Sequence, residues 1–173
     1  MPYSDFLTLA KARFSVRSFS QKPVEAAVIA RILEAGQIAP TACNNQPQRI
    51  FVLQSDPARR ALEGCTRWHF HAPLALLVCY DRTKSWTRRS EGTDSGPVDA
   101  SIVTTHMMLE AWEYGVGSTW VMSFDPQAVR KAFSLSEDLI PVSILVMGYP
   151  SEDCQPNPLH FNKKDLDQTV TFL

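Results

Sequence analysis

The sequence predicts a mixed α and β domain in three layers, with helices covering both faces of one sheet. Three observations point there. About five helical and four strand signals are interspersed along the chain rather than segregated. Two strand candidates, residues 74–80 and 141–147, are almost unbroken apolar runs, as strands buried on both faces are. The 173 residues suffice for one domain with a substantial core, and 45% hydrophobic with 20% charged residues is ordinary for such a domain. Strand order and direction do not follow from this pattern.

The elements run as follows. Residues 5–12 read as a short helix, with Phe6 and Leu9 three apart. Pro23 fits the first turn of a stronger helix. Val24, Val28, Ile32 and Ala35 form its stripe, and Gly36 and Pro40 mark its end. Residues 49–54, RIFVLQ, make a strand candidate. Asp56-Pro57 supplies an N-cap and first turn for a helix to about Gly64, and strand 74–80 follows. The polar stretch 81–97 reads as a loop. The longest helix, 98–114, has Val98, Ile102, Thr105, Leu109 and Trp112 on one face and stops at Gly115. Residues 118–122 form a strand, Asp125-Pro126 starts a helix to about Phe133, and 141–147 is a strand broken by Gly148-Tyr149-Pro150.

In the C-terminal segment 148–173, prolines 150, 156 and 158 oppose helix. An extended tail carrying Leu159, Phe161, Leu166, Val170 and Phe172 needs a surface to cover, and a second subunit is one such surface.

Seventeen basic against 18 acidic residues leave a net charge of −1, so there is no electrostatic case for nucleic acid or a membrane surface. The longest apolar run, 72–80, is far short of the ~18–20 residues that span a bilayer. Met1-Pro2-Tyr3-Ser4-Asp5 shows no basic run followed by an apolar one, so no secretory leader is expected in the residues given. Cysteines 43, 65, 79 and 154 have no CxxC spacing, which fits reduced, packed thiols in a cytoplasmic protein.

Two segments stand out chemically. If 13–17 is extended, Arg13, Ser15 and Arg17 project to one side, where two guanidinium groups and a hydroxyl suit a phosphate; the same alternation also fits a solvated surface strand. Segment 39–47 holds three adjacent carboxamides, Asn44, Asn45 and Gln46, between prolines 40 and 47. It is either a reader of a heterocycle edge or a plain turn. Gly115-Val116-Gly117 is not a dinucleotide fingerprint, since it follows a helix and Trp120 stands at the third glycine's place. His69 and His71 have no acidic or cysteine partner at metal-ligand spacing, so no metal site is expected. Cys43 has no base near it in sequence and reads as a loop thiol.

Taken in order, RFSVRSF at 13–19, APTACNNQPQ at 39–48, GVGSTWVMSFD at 115–125, SILVMGYPSE at 143–152 and KKDLDQTVTF at 163–172 resemble the nitroreductase family of flavoproteins over nearly the whole chain. The resemblance implies an α+β, three-layer α/β/α fold with a central, mostly antiparallel sheet, and a single FMN-binding domain over 1–173. It implies a homodimer in which 148–173 crosses to the partner, with FMN held tightly at the interface by both subunits. By position, Arg13, Phe14 and Ser15 correspond to the phosphate and ribityl motif, and Arg17 to the basic residue beside the pyrimidine or ribityl oxygens. Pro40, Thr41, Asn44 and Gln46 correspond to the loop that reaches the flavin from the other subunit. Trp120, Val121, Met122 and Ser123 correspond to the strand beside the isoalloxazine, and Lys163, with His160 or Lys164, to the C-terminal phosphate ligand. Phe14 stands where many members carry a basic residue, Gln48 where an aromatic is usual, and Lys163 where arginine is common.

The activity implied is a ping-pong one: NAD(P)H as transient donor gives a hydride to flavin, which reduces a small-molecule acceptor such as a nitroaromatic or quinone. No side-chain catalyst is demanded, since solvent supplies protons. A specialised flavin enzyme on the same scaffold (enone reductase, dehalogenase or dehydrogenase) and a flavin-binding protein without fast turnover are the alternatives. Substrate choice is expected in the loop 81–97, through Lys84, Trp86, Arg88 and Arg89.

Overall fold

Strand β2 (Leu74–Asp81) organises the molecule. Leu74, Leu76 and Val78 pack to one side of the sheet and Ala75, Leu77 and Cys79 to the other, all essentially inaccessible. That is why the run is apolar throughout: both of its faces are covered. The structure, a computed structural model, describes residues 3–173; Met1 and Pro2, which open the stretch read for a leader, lie outside the described residues.

The other strands are β1 (Gln48–Leu53), β3 (Gly117–Val121) and β4 (Leu139–Gly148), in the order β1-β2-β4-β3, with every pair antiparallel. Helices α2 (Ala26–Gln37) and α4 (Gly96–Glu113) cover one face, and α3 (Asp56–Glu63) and α5 (Pro126–Ala132) the other. Helix α1 (Phe6–Ala12) lies against α4. The three-layer α+β class is therefore as the sequence predicts, and the sheet is antiparallel throughout.

Several elements differ from their predicted form. Pro23 and Val24 precede α2, whose N-cap is Glu25; Val24 is buried from an extended approach rather than from a helical turn. Gly36 is the penultimate residue of α2, so the helix ends where Gly36 and Pro40 mark it. A Cβ at Gly36 would stand 2.8 Å from Met107 Cγ, so the glycine permits the close approach of α2 and α4. Ser55, not Asp56, caps α3, accepting the Ala58 N–H at 3.4 Å. Strand β4 starts at Leu139 and contains Pro141. Val142 is an extra residue opposite the Val78/Cys79 step, and β3 pairs only from Ile144 onward, so the proline sits at a bulge with one flank unpaired.

Helix α4 is the largest departure. Its sheet-facing residues are Ala100, Val103, Thr104, Met107 and Ala111, while Val98 of the predicted stripe is 60% exposed. The core face uses small residues because α4 lies close on the sheet, with Thr104 Oγ1 3.0 Å from Ser143 Oγ of β4. The large apolar side chains at 98, 102 and 109 lie on the face that nothing in one chain fully covers.

The stretch 81–97 is also more ordered than a plain loop. Thr87 and Asp94 form an antiparallel bridge, the Arg88 N–H donates to Thr93 O at 2.8 Å, and the Tyr80 hydroxyl donates to Asp94 at 2.9 Å.

Candidate active site

Helix α1 ends at Arg13, whose N–H closes the last turn on Leu9 O at 3.0 Å while its own backbone turns extended. The next residues run alongside the free edge of β3. Val16 is fully buried, its N–H donates to Ser118 O at 3.0 Å, and the Thr119 hydroxyl donates to Val16 O. This seating depends on Gly117, where a Cβ would stand 2.4 Å from Val16 Cγ2. With Val16 turned inward, strand alternation places Arg13, Ser15 and Arg17 on the outward side.

These three residues line a hollow of about 310 Å³ with Phe14, Asn157, Leu159, His160 and Lys163. The chain after Asn157 reaches it by a short turn, Pro158–His160, capped by the Asn157 side chain, which accepts the Leu159 N–H at 2.9 Å. His160 Nε2 lies 3.3 Å from Lys11 O, and the His160 and Phe14 rings meet edge to face with centroids 6.3 Å apart. Phe14 is fixed from behind by Trp112, 5.1 Å away. Two guanidinium groups, an ammonium, an imidazole and a hydroxyl thus converge with no carboxylate in the lining. Among the described residues none of those cations is in an ion pair. Burial pushes the Arg13 guanidinium below its ordinary value, a cost that an anion in the hollow would offset.

Arg17 is shared with a second hollow of about 320 Å³, lined by Thr119, Trp120, Val121, Met122 and Ser123 and by Trp68 and Phe70. The Arg17 guanidinium is braced by a hydrogen bond to Ser15 O at 3.1 Å. The end of β3 is held by the Thr66 hydroxyl, which donates to Ser123 O at 2.7 Å. Trp120 Nε1 is buried without a hydrogen-bond partner. Cationic hollow and aromatic hollow meet at one arginine, an arrangement shaped for a ligand with an anionic tail and a flat head.

Of the predicted residues, Arg13, Phe14, Ser15, Arg17, His160 and Lys163 come together in the first hollow and Trp120, Val121, Met122 and Ser123 in the second. Lys164 lines neither. Pro40, Thr41, Asn44 and Gln46 also lie outside both. Their loop is anchored elsewhere, by the Ala42 N–H donating to Asp99 Oδ1 at 2.9 Å and the Gln46 N–H donating to Thr41 Oγ1 at 3.0 Å. Cys43, Asn44 and Gln46 hold φ of 53°, 53° and 49°, and all three side chains are exposed. Non-glycine residues in this left-handed region cost on the order of 1 kcal/mol or more each, so the loop is held, not relaxed. In 81–97, Arg88 is paired with Glu91 and Lys84 lies 3.5 Å from Asp81; neither they nor Trp86 and Arg89 line the two hollows.

Sequence reasoning missed Asn157, Thr119, Trp68 and Phe70. The aromatic run 68–70 and the Asn157-Pro158 turn were visible signals. It also missed Glu63, whose carboxylate lies with the ring nitrogens of His69 and His71 inside 4.8 Å of one another. The acidic partner that those histidines lack at local spacing is supplied across the turn after α3.

A four-stranded antiparallel sheet between helical layers, carrying a cationic and an aromatic hollow on its β3 edge, defines a class of fold and site together. The chain belongs to the nitroreductase family, whose model matches residues 10–68 and 61–149. It is similar to a nitroreductase family protein of Clostridium difficile 630, with 40% identity and a TM-score of 0.92, over 97% of this chain and 98% of that one. It is 27% identical to an NADH dehydrogenase of Thermus thermophilus, over 91% of this chain and 92% of the relative. A protein of Exiguobacterium sibiricum whose crystal structure contains FMN shares the fold at a TM-score of 0.86 and 17% identity, over 100% of this chain and 99% of that one. No helix among the described residues is long and apolar enough to cross a membrane.

Proposed function

We propose that the chain is an FMN-dependent NAD(P)H oxidoreductase acting as a homodimer. One observation carries the reading: an acid-free cationic hollow and a flat aromatic hollow share Arg17 on the β3 edge. The residues present fit FMN by their donor chemistry. Arg13, Ser15, Arg17, His160 and Lys163 would hold the phosphate and ribityl chain through charge-assisted hydrogen bonds. Thr119, Trp120, Val121, Met122 and Ser123 would lie beside the ring, with Trp68 and Phe70 walling the hollow. When bound, FMN supplies two-electron chemistry, taking a hydride from NAD(P)H and passing it to an acceptor. The protein's part is to position the head and to fix positive charge, from Arg17, where negative charge develops. No side chain is assigned as a general acid, since the second hollow opens to solvent. Nitroaromatics and quinones, flat and electron-poor, match its aromatic walls.

The dimer reading rests on what one chain leaves uncovered. Phe6 is 70% exposed, Ile38 74%, Leu159 73%, Phe161 70%, Leu166 77% and Phe172 94%. Together with Val98 on the outer face of α4, these make more apolar surface than a monomer ordinarily shows. In this reading 148–173 is the extension of a single domain over 1–173 that covers a second copy. The exposed carboxamide loop with Pro40, Thr41, Asn44 and Gln46 completes the partner's ring hollow. A cytoplasmic location matches the NAD(P)H supply and the unpaired thiols.

The test is direct. Purified protein should show flavin absorbance at one FMN per chain, bleach on anaerobic titration with NAD(P)H, and recover with a nitro or quinone acceptor. Arg13→Ala with Lys163→Ala should weaken FMN binding at least about tenfold per contact, since each charge-assisted bond is worth ~1.5–3 kcal/mol. A colourless monomer that ignores added FMN, or unchanged FMN affinity in the double variant, would overturn the proposal.

A further inference from the structure

The segment after α3 has two sides. Trp68 and Phe70 face the ring hollow, while His69 and His71 turn to a separate hollow of about 310 Å³ that also contains Glu63. The turn is specified: Phe70 and His71 both hold φ of 49°, and the His71 N–H donates to His69 Nδ1 at 3.1 Å. The two imidazoles stand edge to face with centroids 4.4 Å apart, and His71 Nδ1 is 4.0 Å from a Glu63 carboxylate oxygen. One ligand atom from each of the three side chains falls within 4.8 Å of the others. Arg59 and Arg60 share the hollow with Asp56, and Arg59 is paired with that carboxylate.

We infer that Glu63, His69 and His71 bind a divalent transition metal of the zinc type, with water completing its coordination. Two imidazoles and one carboxylate are a donor set for borderline cations, and a hard cation such as Mg²⁺ has little use for ring nitrogen. Zinc–nitrogen and zinc–oxygen bonds of ~2.0–2.2 Å require the three donors to draw together by about 1 Å. Glu63 and His71 are exposed and have the freedom to do so, and His69 ligates by giving up the hydrogen bond that its Nδ1 accepts from the His71 N–H. The carboxylate comes from the last residue of α3 and the imidazoles from the turn beyond it, so a bound metal ties that turn to the helix. Trp68 and Phe70 lie on the opposite side of the tied segment.

Isothermal titration of the full-length, tag-free protein with ZnCl₂, after EDTA treatment and desalting, tests this. The expected result is one saturable equivalent per chain, with no matching heat from MgCl₂ at the same concentration. His69→Ala and His71→Ala should each weaken the site by at least about tenfold, and His106→Ala should not. In the unmodified protein, long-range ¹H–¹⁵N spectra should show the ring nitrogens of His69 and His71 moving on zinc addition while those of His106 stay. The inference fails if zinc gives no stoichiometric binding, if both His variants bind as tightly as the original chain, or if the signals that move are not those of His69 and His71.

Discussion

Replacing Gly117 by alanine tests the physical basis of the phosphate hollow without touching any residue that lines it. The added Cβ would stand 2.4 Å from Val16 Cγ2, 2.8 Å from Val16 Cβ and 3.1 Å from Val16 Cγ1. Ordinary carbon contacts lie near 3.5 Å, so segment 13–17 and the β3 edge must part by about 1 Å. Val16 is fully buried, and the strain falls on its hydrogen bonds with Ser118 and Thr119. Overpacking of this kind costs ~1–3 kcal/mol. The same displacement carries Arg13, Ser15 and Arg17 out of register with a bound phosphate, where errors of about 1 Å are expensive. The expected outcome is a lower Tm together with at least about tenfold weaker FMN binding, read by flavin fluorescence. Adding Val16→Ala removes both Cγ atoms from the clash. The pair should therefore be non-additive, with a coupling of ~0.5–3 kcal/mol in favour of the double variant. If Gly117→Ala leaves Tm and FMN affinity unchanged, or if the two substitutions simply add, the seating of Val16 on this glycine does not position the hollow.

Three further outcomes are expected. Asp99 is buried and accepts from the Ala42 N–H at 2.9 Å and the Ser95 hydroxyl at 2.8 Å; Asp99→Ala should cost ~2–5 kcal/mol and speed amide exchange across 41–46, while Asp99→Asn keeps much of both. The Tyr149 hydroxyl, Glu25's own backbone N–H and Lys22 hold the exposed Glu25 carboxyl down at about 2 against an ordinary 4.5, so its contribution is present above pH 4.5 and is lost as pH falls toward 2; the Tm gap between the original chain and Tyr149→Phe should close across that window. Burial pushes the Cys79 thiol up to about 12 and raises Cys65 as well, so a thiol reagent should reach Cys65 and Cys79 only on unfolding; rapid labelling of Cys79 would contradict the core described above.

Where the sequence was readable, the signal was local. Asp125-Pro126 marks α5 because a carboxylate cap and a first-turn proline act within one turn, and the Asp125 side chain does accept the Gln127 N–H at 2.8 Å. The apolar run of β2 is legible because burial on two faces needs no partner to be named. Arg13, Ser15 and Arg17 share a side by simple alternation. What failed depends on distant chain. The face of α4 could not be chosen by apolar periodicity because Val98, Ile102 and Leu109 lie outward and Ala100, Thr104 and Ala111 inward. Gly36 marks the end of α2 as expected, but its close approach to Met107 has no local sign. Glu63 meets His69 and His71 only because the turn after α3 folds back. Asp99, which joins the carboxamide loop to Ser95 just before α4, carries no local mark at all.

Because β2 is greasy on both sides, its hydrophobicity cannot tell one sliding alignment from another: a two-residue slip would bury nearly the same atoms. Alignment must be legislated by something other than oil. The bulge at Val142 falls between the Val78–Ser143 and Cys79–Pro141 pairs and marks one step of the β2–β4 ladder, while the hydroxyl contact between Ser143 and Thr104 fixes β4 against α4. Swapping those two hydroxyls for methyl-bearing residues of similar volume should therefore leave total stability nearly intact while loosening the seating of β4 on α4, a loss of accuracy rather than of strength.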